Sequence, residues 1–276
     1  MMILELNHTE FYKCRNLLAE PGQIEAKAII EGMNPGRIWV DNIDNPTTGF
    51  IWLGNHDGFI FIGNEENNRF NTEINYLIDK VIIPEAKKVG LTWFEAIGNH
   101  QKWDQTLKKI FEHRKLGNWN QRVYMLQKRN GNVFKEPAVS RDYQIVKMRD
   151  VLLEDRKQLI KNTTFLQSKI KEFWPSYEEF LMNGIGYCVL YKNEIVSICF
   201  TGFVVGNVHC VDIETLKEHR GKNLAKKVAF AFIKECLESN LVAYWDCMES
   251  NKPSIAVAEN LGFELVFNYT GYEFQM

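Results

Sequence analysis

The chain lacks the residue patterns of a metal centre, a disulfide framework, a membrane anchor or a nucleic-acid binder. Its six cysteines include no C-x-x-C pair, and its six histidines form neither H-x-H nor H-E-x-x-H, so no structural zinc and no other metal site is expected. Cys188, Cys199, Cys210, Cys236 and Cys247 all fall in apolar segments, where a free thiol behaves as a small hydrophobe. No apolar run approaches the length that crosses a bilayer, and the opening MMILELNHTEF is acidic rather than basic, unlike a secretory signal. A soluble, cytoplasmic protein with reduced core thiols and no membrane partner is the expectation. The formal net charge of -2 lacks the basic excess of a general nucleic-acid binder, so no nucleic-acid partner is expected either.

What the chain does have is apolar mass. Its 276 residues, 45% hydrophobic and 25% charged, exceed the usual size of one domain and suggest two. The stretch RNGNVFKEPAVSRD, Arg129 to Asp142, is polar and turn-rich and makes the best linker. The expected organisation is a domain over 1–130, a linker over 131–141 and a second domain over 142–276. The second domain reads as the strand YQIVKM, helical segments over 152–162 and 169–182, the strand GYCVLYKN, a hairpin into EIVSICFTGFVV, then VHCVDIET, a long helix, AYWDC, a short helix and FELVFNYTGYEF. The first half shows a similar alternation: helical segments over 10–19 and 23–32, strands RIWVDN, GFIWLG and GFIFIGN, a helix over 71–88, the strand LTWFEAI, a helix over 103–113 and NWNQRVYML. Its tryptophans Trp39, Trp52, Trp93, Trp103 and Trp119 read as core rather than as a ligand platform.

One junction carries most of the chemistry. The apolar strand Val211 to Thr215 runs into HRGKNLA, His219 to Ala225, and then into a helix-patterned segment ending near Glu238. A helix starting at about Gly221 leaves its first N–H groups without intrahelical partners and places about half a positive charge there, which suits a phosphate. Gly221 lets backbone approach a ligand closely, Asn223 tolerates a left-handed conformation, and Arg220 and Lys222 add mobile positive charge. Leu224, Ala225, Val228, Ala229, Phe232 and Cys236 recur at helical spacing behind the turn and anchor the helix on a core. A solvated strand-to-helix connection is the alternative. After the next strand comes NKPSIAVAENLGFE, Asn251 to Glu264, a short helix closed by Gly262.

Here the chain resembles the GNAT superfamily of N-acetyltransferases. Arg220, Gly221, Lys222, Leu224 and Ala225 match the R-G-x-G-x-G/A loop that holds the pyrophosphate of acetyl-coenzyme A. Asn251, Ser254, Gly262 and Phe263 match the later N-x-x-(A/S)…G-F segment beside pantetheine and thioester. Asn223 replaces a second glycine, and Ala258 stands where many members carry the tyrosine that protonates the leaving thiolate. WDC, then N-x-x-S, then LGF resembles the branch of zwittermicin A resistance proteins. The resemblance implies a mixed α/β GNAT-like fold in the C-terminal half, acetyl-CoA as cosubstrate and a small-molecule amine as acceptor, of the kind met in antibiotic resistance. The first half then reads as a degenerate GNAT-like domain. Its equivalent turn, NEENNRFN over 64–71, has two glutamates and no glycine and would repel a pyrophosphate. With the cofactor confined to the second domain, the cleft between the halves is the expected place for the acceptor, with the first half as a wall.

A lysine-like amine with a pKa near 10.4 is neutral in only about one molecule per thousand near pH 7, so transfer needs a base. Glu214, at the end of the strand, is positioned for it, with Asp212, Asp246 and Glu249 as other carboxylates and an ion-pair role as the alternative. Ser254, or Tyr244, Tyr269 or Tyr272, could act as acid. Ile213 and Thr215 lie beside the thioester in the resemblance, and the Thr215 N–H would polarise its carbonyl. A nucleophilic Cys247 is the less favoured reading, because acyl transfer from a thioester to an amine needs no cysteine. A Fem-like aminoacyl transferase and a non-catalytic CoA-binding regulatory module remain open beside the acetyltransferase.

Overall fold

The computed structural model describes residues 3–54, 58–127, 135–154 and 159–276. The chain divides into two compact units, residues 1–121 with 267–276, and residues 122–266. The N-terminal stretch carries β1 (Leu4–Glu5), α1 (Ile24–Ile30), β2 (Gly36–Val40), β3 (Thr48–Leu53), β4 (Phe59–Gly63), α2 (Asn68–Leu77), α3 (Ile83–Lys88), β5 (Trp93–Gly98), α4 (Trp103–Ile110) and β6 (Gly117–Leu126). There follow β7 (Tyr143–Lys147), α5 (Met148–Glu154), α6 (Thr163–Phe173), α7 (Tyr177–Asn183), β8 (Gly186–Tyr191), β9 (Glu194–Val205), β10 (Val208–Thr215), α8 (Leu224–Glu238), β11 (Val242–Met248), α9 (Lys252–Asn260) and β12 (Glu264–Gln275).

In the first unit β1 to β4 pair antiparallel in chain order, β4 pairs parallel to β5, and the end of β12 pairs antiparallel to β5 from Gly271↔Ile97 to Gln275↔Trp93. Strand side chains alternate between faces. Phe59 and Phe61 therefore meet Phe70, Ile74, Trp103 and Leu107 of α2 and α4, while Ile60 and Ile62 meet Ala26, Ile29 and Ile30 of α1 on the other side. With both faces covered, β4 (FIFIG) is apolar throughout.

The second unit pairs β7 to β10 antiparallel in chain order and β10 parallel to β11. On one face Leu224, Val228, Phe232 and Cys236 of α8 pack with Val189, Cys199, Ala243 and Trp245. On the other, Phe200 meets Phe173 and Phe180 edge-on. Tyr124 and Leu126 of β6 also belong to the α8 core.

Several elements depart from the sequence reading. The second unit takes in residues 122–126, ahead of the expected linker, and the last ten residues pair in the first unit, because strand pairing between distant segments leaves no local signal. Residues 131–134 of that linker, and 155–158 of the first expected helical segment, lie outside the described residues. The expected helix over 169–182 is two, α6 and α7, interrupted where Pro175 removes a backbone donor and Ser176 caps the next helix through the Glu179 N–H at 3.2 Å. The expected helix over 10–19 is a 3-10 helix over His8–Leu17.

Candidate active site

Strands β10 and β11 run together only briefly. Their parallel ladder covers Val208↔Val242, His209↔Ala243 and Cys210↔Tyr244, yet β10 continues to Thr215 and β11 to Met248. The register of β10 against β9 shifts between His209 and Val211, because β9 carries an extra residue there, with Gly202 and Phe203 opposite Cys210, and such a bulge adds local twist. This is where β10 leaves β11. The junction is held by buried His209, whose Nδ1 lies 3.0 Å from Thr201 Oγ1; burial pushes the imidazole down to about 4, so it stays neutral. Thr201 in turn accepts from the Ile185 N–H and, through its carbonyl, from Trp174 Nε1.

Past the bulge, the antiparallel ladder decides which backbone groups face the opening. The Leu216 N–H donates to Val196 C=O at 2.9 Å. By the alternation of such ladders, Glu214 and Asp212 also turn their backbone to β9, whereas Thr215, Ile213 and Val211 turn theirs toward the side β11 has vacated. The Thr215 hydroxyl is tied to Ser197 Oγ at 2.7 Å, which fixes the residue whose N–H points outward.

At the end of β10 a single 3-10 turn, Lys217–His219, leads into the glycine turn. The helix starts at Leu224, not at Gly221 as the sequence suggested. Gly221 has φ 75° and Asn223 φ 60°, and left-handed residues cannot continue a right-handed helix. Asn223 makes no side-chain cap, so the first N–H groups of α8 are left for another acceptor. A Cβ at Gly221 would meet nothing within 4 Å, so the turn is open to a ligand. Arg220 and Lys222 are less mobile than expected. Arg220 Nε donates to Thr215 C=O at 3.0 Å and Lys222 Nζ to Glu218 C=O at 3.0 Å, tying both cations to the backbone around the turn. Leu224 is buried and Ala225 half-buried.

The second motif is more structural than expected. Asn251 Oδ1 caps α9 by accepting from the Ser254 N–H at 3.2 Å. Ser254 Oγ accepts from Trp245 Nε1 at 3.0 Å and also bonds Cys247, whose thiol is pushed up by burial. That makes Cys247 a poor nucleophile. Ala258 is fully buried in the α8 core, so its position presents no acid. Tyr272 lies in the first unit, bonded to Asp104 and raised to about 12 by burial, and Tyr269 is also in that unit. Tyr244 alone of the three expected tyrosines falls in the second unit, at the last ladder pair.

The carboxylates separate by their partners. Glu249 pairs with Arg122, whose Nε lies 3.1 Å away. Glu214 Oε2 lies 3.1 Å from Lys169 Nζ, which also holds Glu172 at 3.2 Å. Asp212 is pushed up to about 7, chiefly by burial. Lys169 was missed by sequence reasoning, although its position carried a signal. It stands three residues after Leu166 and four before Phe173, on the inward stripe of α6.

In the first unit the corresponding turn is closed. Asn67 caps α2 by accepting from the Phe70 N–H at 3.1 Å, and its amide donates to Asp41 at 2.9 Å and Thr48 at 3.1 Å. Asn64 accepts from the Glu66 N–H at 3.0 Å. After the pairs Phe59↔Ala96 to Phe61↔Gly98, the Asn99 N–H donates to Phe61 C=O at 2.8 Å and His100 Nε2 lies 3.0 Å from Gly63 C=O. The strands stay bridged. Among the described residues no cluster of three or more His, Cys, Asp or Glu could hold a metal, and no helix is long and apolar enough to cross a membrane.

Comparison with known proteins agrees with this geometry. The chain is 30% identical over 246 residues to YdfB of Bacillus subtilis (strain 168), described as an uncharacterized N-acetyltransferase, covering 89% of this chain and 88% of that protein. A GCN5-related N-acetyltransferase-like protein from Streptococcus suis 89/1591 shares the fold at TM-score 0.64 and 19% identity, over 96% of this chain and 98% of that one. So does a tandem GNAT protein from the clavulanic acid biosynthesis pathway, at TM-score 0.58 and 12% identity, over 99% and 98%. Residues 15–272 match the GNAT acetyltransferase family. With an open strand pair beside an uncapped glycine turn in its second unit, the chain belongs to the GNAT acetyltransferase family and is an N-acetyltransferase.

Proposed function

We propose that the protein transfers the acetyl group of acetyl-CoA to a primary amine of a small molecule, as in the zwittermicin-type resistance proteins that its WDC, N-x-x-S and LGF segments resemble. The observation that carries this is the divergence of β10 from β11 after Cys210↔Tyr244, beside a helix whose N–H groups lack a side-chain cap.

The residues fit the cosubstrate. The N–H groups from Gly221 to Ala225 would hold the pyrophosphate, with Arg220 and Lys222 flanking it. Ile213 and Thr215 would bond the pantetheine and thioester through their outward backbone groups. When bound, acetyl-CoA supplies an acetyl group activated as a thioester. The Thr215 N–H polarises the carbonyl, and a carboxylate on β10 takes a proton from the acceptor. Asn251 holds the start of α9, and Ser254, which receives the indole N–H, gives its own hydrogen to the Cys247 sulfur. A thiol has a pKa near 8.5, so loss of the tyrosine at Ala258 need cost little. The resulting roles are positioning and proton removal.

Calorimetry with acetyl-CoA, followed by thiol release over a panel of primary amines, tests the proposal. Binding with amine-dependent release is expected. Binding without release from any amine favours a regulatory module, and activity dependent on charged tRNA favours an aminoacyl transferase.

A further inference from the structure

Glu214 and Asp212 stand two residues apart on β10 and share one face of the sheet, opposite Ile198 and Phe200 of β9. Their surroundings differ. One oxygen of Glu214 is taken by the Lys169 ammonium at 3.1 Å, and the same ammonium reaches Glu172 at 3.2 Å. Asp212 joins no such ion pair among the described residues. It sits just past the bulge, where β10 parts from β11, opposite a phenylalanine packed on Phe173 at 5.7 Å and Phe180 at 5.9 Å.

We infer that Asp212, rather than Glu214, takes the proton of the acceptor amine, and that Lys169, pinned between Glu214 and Glu172, sets the pH at which it does so. The inference rests on the acetyl-transfer reading above. A carboxylate already bound to a lysine ammonium has part of its accepting capacity spent on a fixed charge. Asp212 is raised to about 7 by burial first, while Lys169 opposes that rise and Glu172 and Glu214 add to it. The charged groups facing it are thus Lys169 and Glu172 from α6 and Glu214 from its own strand, with the buried Cys199 thiol on β9 sensing its charge. A base of that pKa is matched to work near neutral pH.

The step balances. The acceptor ammonium gives one proton to the Asp212 carboxylate, and the freed nitrogen lone pair forms the bond to the acetyl carbon. The carbon–sulfur bond breaks with its electron pair on sulfur, and the second amine proton ends on that sulfur as the thiol. Lys169 and Glu214 are positioning residues, acting through the charge at Asp212.

The test follows thiol release from acetyl-CoA with free lysine, spermidine and an aminoglycoside as acceptors, recorded against pH. Asp212→Asn is expected to lower kcat by roughly 100-fold or more, with acetyl-CoA affinity by calorimetry unchanged. Glu214→Gln should retain turnover within about tenfold of wild type and move the acid limb of the profile to lower pH, because it removes a negative neighbour. Lys169→Met should move that limb to higher pH. Equal loss in Glu214→Gln and Asp212→Asn, or an acid limb unmoved by either neighbour, overturns the assignment. Failure of wild type to bind acetyl-CoA would instead overturn the acetyl-transfer reading.

A second arm needs no substrate. A carboxyl raised in the folded state costs stability as pH rises from its unfolded value, 3.8, to about 7. Asp212→Asn should therefore melt higher than wild type at pH 8 and gain nothing at pH 4. A lower melting temperature at pH 8 would contradict the raised, buried carboxyl on which the inference depends.

Discussion

Both units of this chain carry the same local plan, a strand leading through a turn to a helix beside a parallel neighbour, and they finish it in opposite ways. In the first unit Asn67 fills the helix end, while Asn99 and His100 bridge the strands beyond Phe61. In the second, Asn223 caps nothing and β10 runs on to Thr215 paired with β9 but not with β11. A helix terminus satisfied by its own side chains has little left for a phosphate, whereas an uncapped one keeps its N–H groups for another acceptor. The difference lies in a few polar side chains rather than in topology.

The comparison can be sharpened by testing what each unit contains. Leu126 precedes the expected linker but is only 3% exposed in the core of the second unit. Leu126→Ala should lower the stability of that unit by about 2–5 kcal/mol, measured by chemical denaturation followed by the fluorescence of Trp245, which shares its core. An unaltered transition would return the segment to the first unit.

Acid should act on the open strand pair. His209, lowered from 6.5 to about 4 by burial, contributes stability that is present above pH 6.5 and is lost as pH falls toward about 4. The loss amounts to about 3 kcal/mol, since each tenfold weakening of proton binding is worth about 1.4 kcal/mol. His209→Gln should flatten this dependence in a stability–pH series. An equally steep acid slope in the variant would place the sensitive group elsewhere.

The closed turn offers the smallest effect. Asn67→Ala should cost the first unit about 1 kcal/mol, as for other lost helix caps, and leave acetyl-CoA affinity unchanged. Any gain of a second acetyl-CoA site in that variant would show that the cap alone keeps the first turn closed.

The fold was legible where periodicity and punctuation agreed. Alternating apolar strands and the 3.6-residue stripe of α8 placed nearly every element of the second unit, and HRGKNLA marked the turn. The exit of the final strand into the first unit was not legible, because pairing between Tyr272 and Ala96 depends on partners far apart in the chain. The helix start moved from Gly221 to Leu224 because two left-handed residues intervene, a backbone property that residue type only suggests. At the site, backbone donors at Ile213 and Thr215 follow from the ladder register, which sequence does not report. Asn251 and Ser254 matched a motif, yet motif matching says nothing of the Trp245 and Cys247 contacts that occupy Ser254. Lys169 escaped because the ion pair joins a helix to a strand 45 residues away in the numbering, 169 to 214.

In the function proposed above, one turn, in the second unit, binds the pyrophosphate. Calorimetric titration of acetyl-CoA into wild type, Gly221→Glu and a Glu65→Gln, Glu66→Gln double variant tests it most directly. A carboxylate at Gly221 would oppose the pyrophosphate charge at short range, worth a few kcal/mol near a protein surface, so affinity should fall roughly 100-fold. The first-unit double variant should bind as wild type does. Unchanged affinity in Gly221→Glu, or an equal change in the double variant, would contradict a single site at the turn before α8.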